Sequence, residues 1–126
     1  MNTTPIFLLV EPSRILRSSL HDWLDQALAG HRILTAANGI EALKLAGQEQ
    51  PSHILIEMEL PDMSGLEVLR QIRQILPHAR IVATGWYESR VLLNRVWTAG
   101  ASGFIRKHKL PSELLPLWDI NRIKDG

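Results

Sequence analysis

Five short apolar runs, each followed by a longer segment of helical periodicity, constrain this chain more than any other feature. The first run, Ile6-Phe7-Leu8-Leu9-Val10, is apolar at every position. That is the pattern of a parallel strand covered on both faces. Further strands are expected at 32–36, 53–58, 80–84 and 103–106, the second of the five being the weakest and near an edge. Ser13 is placed to cap a helix over residues 14–28, whose stripe is Ile15, Leu16, Leu20, Trp23, Leu24, Ala27 and Leu28, and Gly30 stops it. Asn38 is placed to cap a second helix carrying Ile40, Leu43 and Ala46. A third opens at Ser64 or Gly65, carries Leu66, Leu69, Ile72 and Leu76, and ends at Pro77. A fourth covers residues 88–99 with Val91, Leu92, Val96 and Trp97, and the last runs from Pro111 or Ser112 toward Arg122. Strand–helix alternation without hairpin signals predicts an α/β fold with a parallel sheet and helices on both faces.

The 126 residues suffice for one domain, expected to span 1–126 with its core over residues 5–123. There is no Cys, which excludes disulfides, thiolate metal sites and Cys nucleophiles. Fourteen Lys and Arg against thirteen Asp and Glu leave a net charge of +1, no electrostatic basis for binding nucleic acid or an anionic membrane. Glu11 ends the first apolar run far short of the ~20 residues of a membrane helix, so a cytoplasmic protein is expected.

In parallel sheets of this type the functional crevice lies outside the carboxyl ends of the strands. Glu11, Pro12, Glu57, Thr84 and Lys107 each fall at or just beyond such an end and should converge.

The landmarks Leu8-Leu9-Val10-Glu11-Pro12, the stretch from Ile54 through Glu57 to Pro61-Asp62-Met63-Ser64-Gly65, Ile81-Val82-Ala83-Thr84-Gly85, and Gly100-Ala101-Ser102-Gly103-Phe104-Ile105-Arg106-Lys107 stand in an order and spacing specific together. With them the chain resembles the receiver domains of two-component response regulators over nearly its whole length. The resemblance implies a flavodoxin-like, doubly wound (βα)5 fold with strand order 2-1-3-4-5. It also implies a phosphoacceptor Asp at the end of the third strand, two acids after the first strand that hold Mg²⁺, and a Thr and a Lys that contact the phosphoryl oxygens. Thr84 and Lys107 match, and Phe104 matches the aromatic position that reports the switch. Glu11 matches the first acid with a longer side chain. Pro12 departs at the second acid, and Glu57 departs at the phosphoacceptor itself.

These departures bear on the chemistry. Mg²⁺ wants near-octahedral oxygen geometry and one or two carboxylates besides phosphate. Pro12 removes one carboxylate and Glu57 moves another outward, leaving Glu11 vestigial; no metal cofactor is expected. Phosphoryl transfer rests on positioning, and a misplacement of about 1 Å can cost two orders of magnitude. Glu57 is therefore expected to pair with Lys107 and not to be phosphorylated. Such a pair either imitates the phosphorylated state, with Thr84 and Phe104 in their active arrangement, or is a structural pairing alone. Glu59 and Asp62 read as solvated loop acids, and the five histidines as surface or loop residues.

Trp23 reads as core and Trp86 as exposed near the crevice. The segment 110–120 is apolar on more than one helical face. Trp97, Leu115 and Trp118 are therefore expected to line an interface made by helix four, strand five and helix five. Arg90, Arg95, Arg106, Lys107 and Lys109 make that neighbourhood basic. The alternative is that Pro116 kinks the last helix and the chain end covers its own core.

Three functions follow. The first is an atypical, non-enzymatic receiver in two-component or phosphorelay signalling. It would act through contacts with a histidine kinase, a downstream signalling protein or a second copy of itself. The second is a phosphorylatable, Mg²⁺-dependent receiver. The third, from another class, is a small α/β enzyme or ligand-binding domain on the same architecture.

Overall fold

The structure is a computed structural model and describes residues 4–120. In chain order the elements are β1 (Ile6–Val10), α1 (Arg14–Ala27), β2 (Arg32–Ala36), α2 (Gly39–Glu49), β3 (His53–Glu57) and α3 (Gly65–Ile75). Then come β4 (Arg80–Gly85), α4 (Arg90–Thr98), β5 (Gly103–Arg106), a 3₁₀ turn (Lys107–Lys109) and α5 (Leu110–Leu117). The strands form one parallel sheet of order β2-β1-β3-β4-β5. This is the flavodoxin-like topology expected, with β2 at an edge.

The two-residue period of the strands divides the core. Leu8, Val10, Ile54, Ile56, Ile81 and Ala83 pack with Ala42 and Ala46 of α2, Val68, Leu69 and Ile72 of α3, and Val96 of α4. Phe7, Leu9, Leu55, Val82 and Ile105 pack on the other face with Leu24 of α1 and Leu110 and Leu114 of α5. Runs apolar at every position are required because each strand feeds both layers.

Side-chain caps fix where the helices begin. Ser13, Asn38, Ser64 and Ser89 each accept a backbone N–H of the first turn. Asp62 adds a second cap to α2 from across the fold: its two carboxylate oxygens accept Gly39 N at 2.8 Å and Ile40 N at 2.9 Å. The acid is exposed, as expected, but it clamps the β3–α3 loop onto the start of α2. Gly65 is needed for close approach, since a Cβ there would collide with the backbone of Glu57 and Met58. The Pro61-to-Gly65 loop thus turns tightly against the strand end that carries Glu57.

Several expectations are corrected. Ile15 and Ile40 lie outside the buried stripes, and α4 begins at Arg90, leaving Val91 and Trp97 largely exposed. His53 is not a surface residue: it is buried, stacked on Phe7 at 4.9 Å, with Ser52 Oγ 2.7 Å from Nδ1. Its place on β3, facing α5, explains this. Trp118 is the largest correction. It is fully buried in the second core, its Nε1 donates to Ile54 O at 3.2 Å, and its ring lies 5.4 Å from that of Phe7. The cause is local: α5 ends at Leu117, just past the internal Pro116, and Asp119 takes a left-handed φ of 59° that turns Ile120 into the core as well. Leu115 packs against the same core. The surplus apolar surface of segment 110–120 is therefore consumed by the chain itself. The expected continuation toward Arg122 lies outside the described residues.

Candidate functional site

The carboxyl ends of β1, β3 and β5 bring three buried charges together. Lys107, first residue of the 3₁₀ turn after β5, places its Nζ 2.7 Å from Glu11 Oε1 and 2.8 Å from Glu57 Oε1. All three residues are buried. Each carboxylate is also held by its own loop: Glu11 Oε2 accepts Ser13 N at 2.8 Å, and Glu57 Oε2 accepts Met58 N at 2.8 Å. The turn that caps α1 thus also orients Glu11. Arg17 reaches back from α1 and donates to the carbonyl oxygens of Glu11 at 2.9 Å and Pro12 at 3.3 Å. Pro12 brings to the crevice a carbonyl and no carboxylate.

Thr84 pairs with Glu57 in the β3–β4 register, yet its hydroxyl faces elsewhere. It is buried and donates to Ile105 O at 2.6 Å. Phe104 is half-buried against the first core, with its ring near Gly85. Trp86, just past β4, is half exposed and sits over Lys107, the ammonium 5.1 Å from its ring centre. Beside Glu57 a small cavity of about 70 Å³ is lined by Gly85, Trp86 and Tyr87 among others. Of the five crevice positions, the structure joins Glu11, Glu57 and Lys107 directly; Pro12 and Thr84 border them without a side-chain bond to the group.

Burial pushes the Glu57 carboxyl above its ordinary range, and the hydrogen bond from Lys107 offsets part of that. For Lys107, burial works to lower the ammonium, but Glu11 and Glu57 together outweigh it and hold it above its ordinary value. Fully ionised, the three groups carry one net negative charge: the ammonium bridges both carboxylates and offsets one of their two charges. A divalent ion would need these same oxygens. The donor set, two carboxylates already bridged by an amine and a proline where an acid would stand, does not fit Mg²⁺. Lys107 is accordingly no part of a basic rim, and Arg106 faces Glu88 at 3.7 Å.

The expected interface residues separate. Trp97 is 68% exposed on α4, whereas Trp118 is buried and Leu115 packs inward. The exposed apolar side chains of this region come from α4 and the loop before it: Trp86, Tyr87, Val91, Leu93 and Trp97. Helical spacing sets Leu93 beside Trp97 on one face. The periodicity of the sequence did not distinguish that face from the buried one, because Leu92 and Val96 are equally apolar.

A parallel five-stranded α/β domain with its acids and a lysine gathered at the carboxyl end of the sheet defines a class of signalling module. The chain belongs to the response regulator receiver domain family, whose model matches residues 7–118. It is 33% identical over 108 residues to the transcriptional activator protein ExaE of Pseudomonas putida, covering 86% of this chain and 50% of that protein. The chain thus spans about half the length of that relative. The chemotaxis protein CheY of Thermotoga maritima is 27% identical over 109 residues, covering 86% of this chain and 89% of that one. Among solved structures, a response regulator from Burkholderia pseudomallei with a phosphorylated aspartic acid superposes with a TM-score of 0.82 at 25% identity, covering 97% of this chain and 73% of that one. Among the described residues no helix is long and apolar enough to cross a membrane.

Proposed function

We propose that this domain is a degenerate receiver, a cytoplasmic signalling module that takes no phosphoryl group at Glu57, needs no Mg²⁺, is not an enzyme and acts through protein contacts. The observation that carries this reading is Lys107 clamped between Glu11 and Glu57. The internal ammonium engages the two carboxylates that the family pattern assigns to metal binding and phosphoryl transfer. The attacking carboxylate is tied by both oxygens, and phosphoryl transfer depends on a free, in-line nucleophile with its charge neutralised by metal. Thr84, bonded to Ile105 O and not to Glu57, supports structural pairing over imitation of the phosphorylated state.

The partner is a histidine kinase or a downstream signalling protein, or a second copy pairing across α4 and β5. Trp97 and Leu93 support the α4 face, with Arg90 one helical turn further along it. Treatment with acetyl phosphate and Mg²⁺, read by intact mass, tests the reading. The unmodified mass is expected, and Glu57→Asp alone restores little because Pro12 still offers no carboxylate; Glu57→Asp with Pro12→Asp is the rescue. A gain of one phosphoryl by the wild type, lost in Glu57→Gln, overturns it.

A further inference from the structure

Lys107 and Trp86 line a second, larger cavity of about 430 Å³. Three elements wall it. Leu16, Leu20 and Trp23 come from α1, Leu110 and Pro111 from the start of α5, and Trp86 from the loop after β4. Glu11 and Lys107 contribute the clamped ion group to one corner of its lining, and Ser19 and His108 are its other polar residues. The volume falls in the range of sites that hold small organic ligands, and so does the composition, apolar walls with a few convergent polar groups. Trp86 reaches over Lys107 and lines that end.

The chemistry of the corner selects the occupant. Lys107 has three N–H groups. Two are engaged by Glu11 and Glu57, and the Trp86 ring centre lies 5.1 Å from the nitrogen that carries the third. Both Glu11 oxygens are engaged, by Lys107 and by Ser13 N. The corner therefore offers one donor and no net positive charge, which suits an uncharged acceptor and disfavours an anion. Two indoles and the aliphatic walls suit a flat ring system. We propose that this cavity is a binding site for a neutral, planar aromatic small molecule whose carbonyl oxygen accepts the third N–H of Lys107. Its occupancy would be felt at Glu57 through the shared ammonium, whether or not Glu57 is ever phosphorylated.

The probe is 6-propionyl-2-(dimethylamino)naphthalene, a neutral fused-ring ketone whose emission shifts to the blue in apolar surroundings, titrated into the full chain. Saturable binding of one probe per chain with a blue shift is expected. The anionic 1-anilinonaphthalene-8-sulfonate should bind at least about tenfold more weakly, the equivalent of roughly 1.4 kcal/mol. Ser19→Trp, which fills the cavity from an exposed position of α1, should weaken the ketone by at least about tenfold, and Pro111→Trp does the same from α5 if the first variant does not fold. Each variant is checked for native circular dichroism. Non-saturable uptake overturns the site, as does equal affinity for the anion or undiminished binding by a folded filling variant. A concentration-dependent dimer that the same filling variant dissociates would give the cavity to a second copy and likewise overturn the proposal.

Discussion

Lys107 Nζ and Glu57 Oε1 stand 2.8 Å apart inside the crevice, and the same nitrogen is 2.7 Å from Glu11. One cation thus serves two carboxylates, and all three side chains are almost wholly withdrawn from water. Removing the cation leaves two buried acids facing each other. Lys107→Ala should cost about 3–5 kcal/mol, the range for breaking a buried pair from one side. Lys109→Ala, two residues on and without such partners, should stay within about 0.5 kcal/mol. Urea unfolding of the two variants side by side checks this, and equal midpoints would argue against the clamp.

Glu57 should behave in the opposite sense. Its folded-state carboxyl titrates above the unfolded one, so the folded form holds its proton more tightly. The stability linked to that proton is present below the unfolded value of about 4.3 and is lost as pH rises through the folded value. Glu57→Gln removes the surplus negative charge while its amide oxygen still accepts Met58 N or Lys107 Nζ. The variant should melt higher than wild type at pH 7–8, and the gap should close as the solution is acidified toward pH 4. A variant that melts lower across this range would mean that the ionised Glu57 is itself needed for the fold.

His53 sets a second pH dependence. Burial first, and then Arg80 on the neighbouring strand, lower its imidazole to about 4. The folded state therefore keeps His53 neutral while the unfolded chain charges it near 6.5. Stability is full above pH 6.5 and falls as pH drops toward 4, by roughly 2–3 kcal/mol over the window. His53→Leu should flatten that slope. A slope equal to that of wild type would assign the acid sensitivity to another group.

Trp97 and Trp118 should separate association from stability. Trp118 is fully buried against Phe7 and His53, so Trp118→Ala should cost about 3–5 kcal/mol as a core truncation. Trp97→Ala should leave the melting temperature nearly unchanged and abolish pairing seen by light scattering. A pairing interface of this kind should bury at least about 1,000 Å² in total. A chain that is monomeric at high concentration, with or without Trp97, leaves the α4 face to a different protein.

The strands, their order and the residues of the crevice were legible because buried parallel strands write an uninterrupted apolar run and the polar residues at their ends stand out against it. Glu57 and Lys107 could be paired from position alone. The limits lay where tertiary context overrides local pattern. Trp118 read as surplus surface although Pro116 offered the alternative that the chain end covers its own core; that alternative holds, through a turn at Asp119 that no local pattern marks. His53 read as polar, and only the stacked Phe7 and the covering Trp118 make its site a buried one. Asp62 read as a loop acid because its partners, Gly39 and Ile40, are far away in sequence. The cavity beside Trp86 needs three elements to exist and leaves no mark on any one of them.

The proposed reading is that an internal ammonium already engages the carboxylates a metal and a phosphoryl group would need. It is tested most directly by following the backbone amides of Thr84, Phe104 and Lys107 by NMR while Mg²⁺ and beryllofluoride, a phosphoryl mimic, are added. The clamp predicts that these resonances stay where they are in the wild type and move in the chain carrying Glu57→Asp and Pro12→Asp. Saturable shifts at all three positions in the wild type would contradict it.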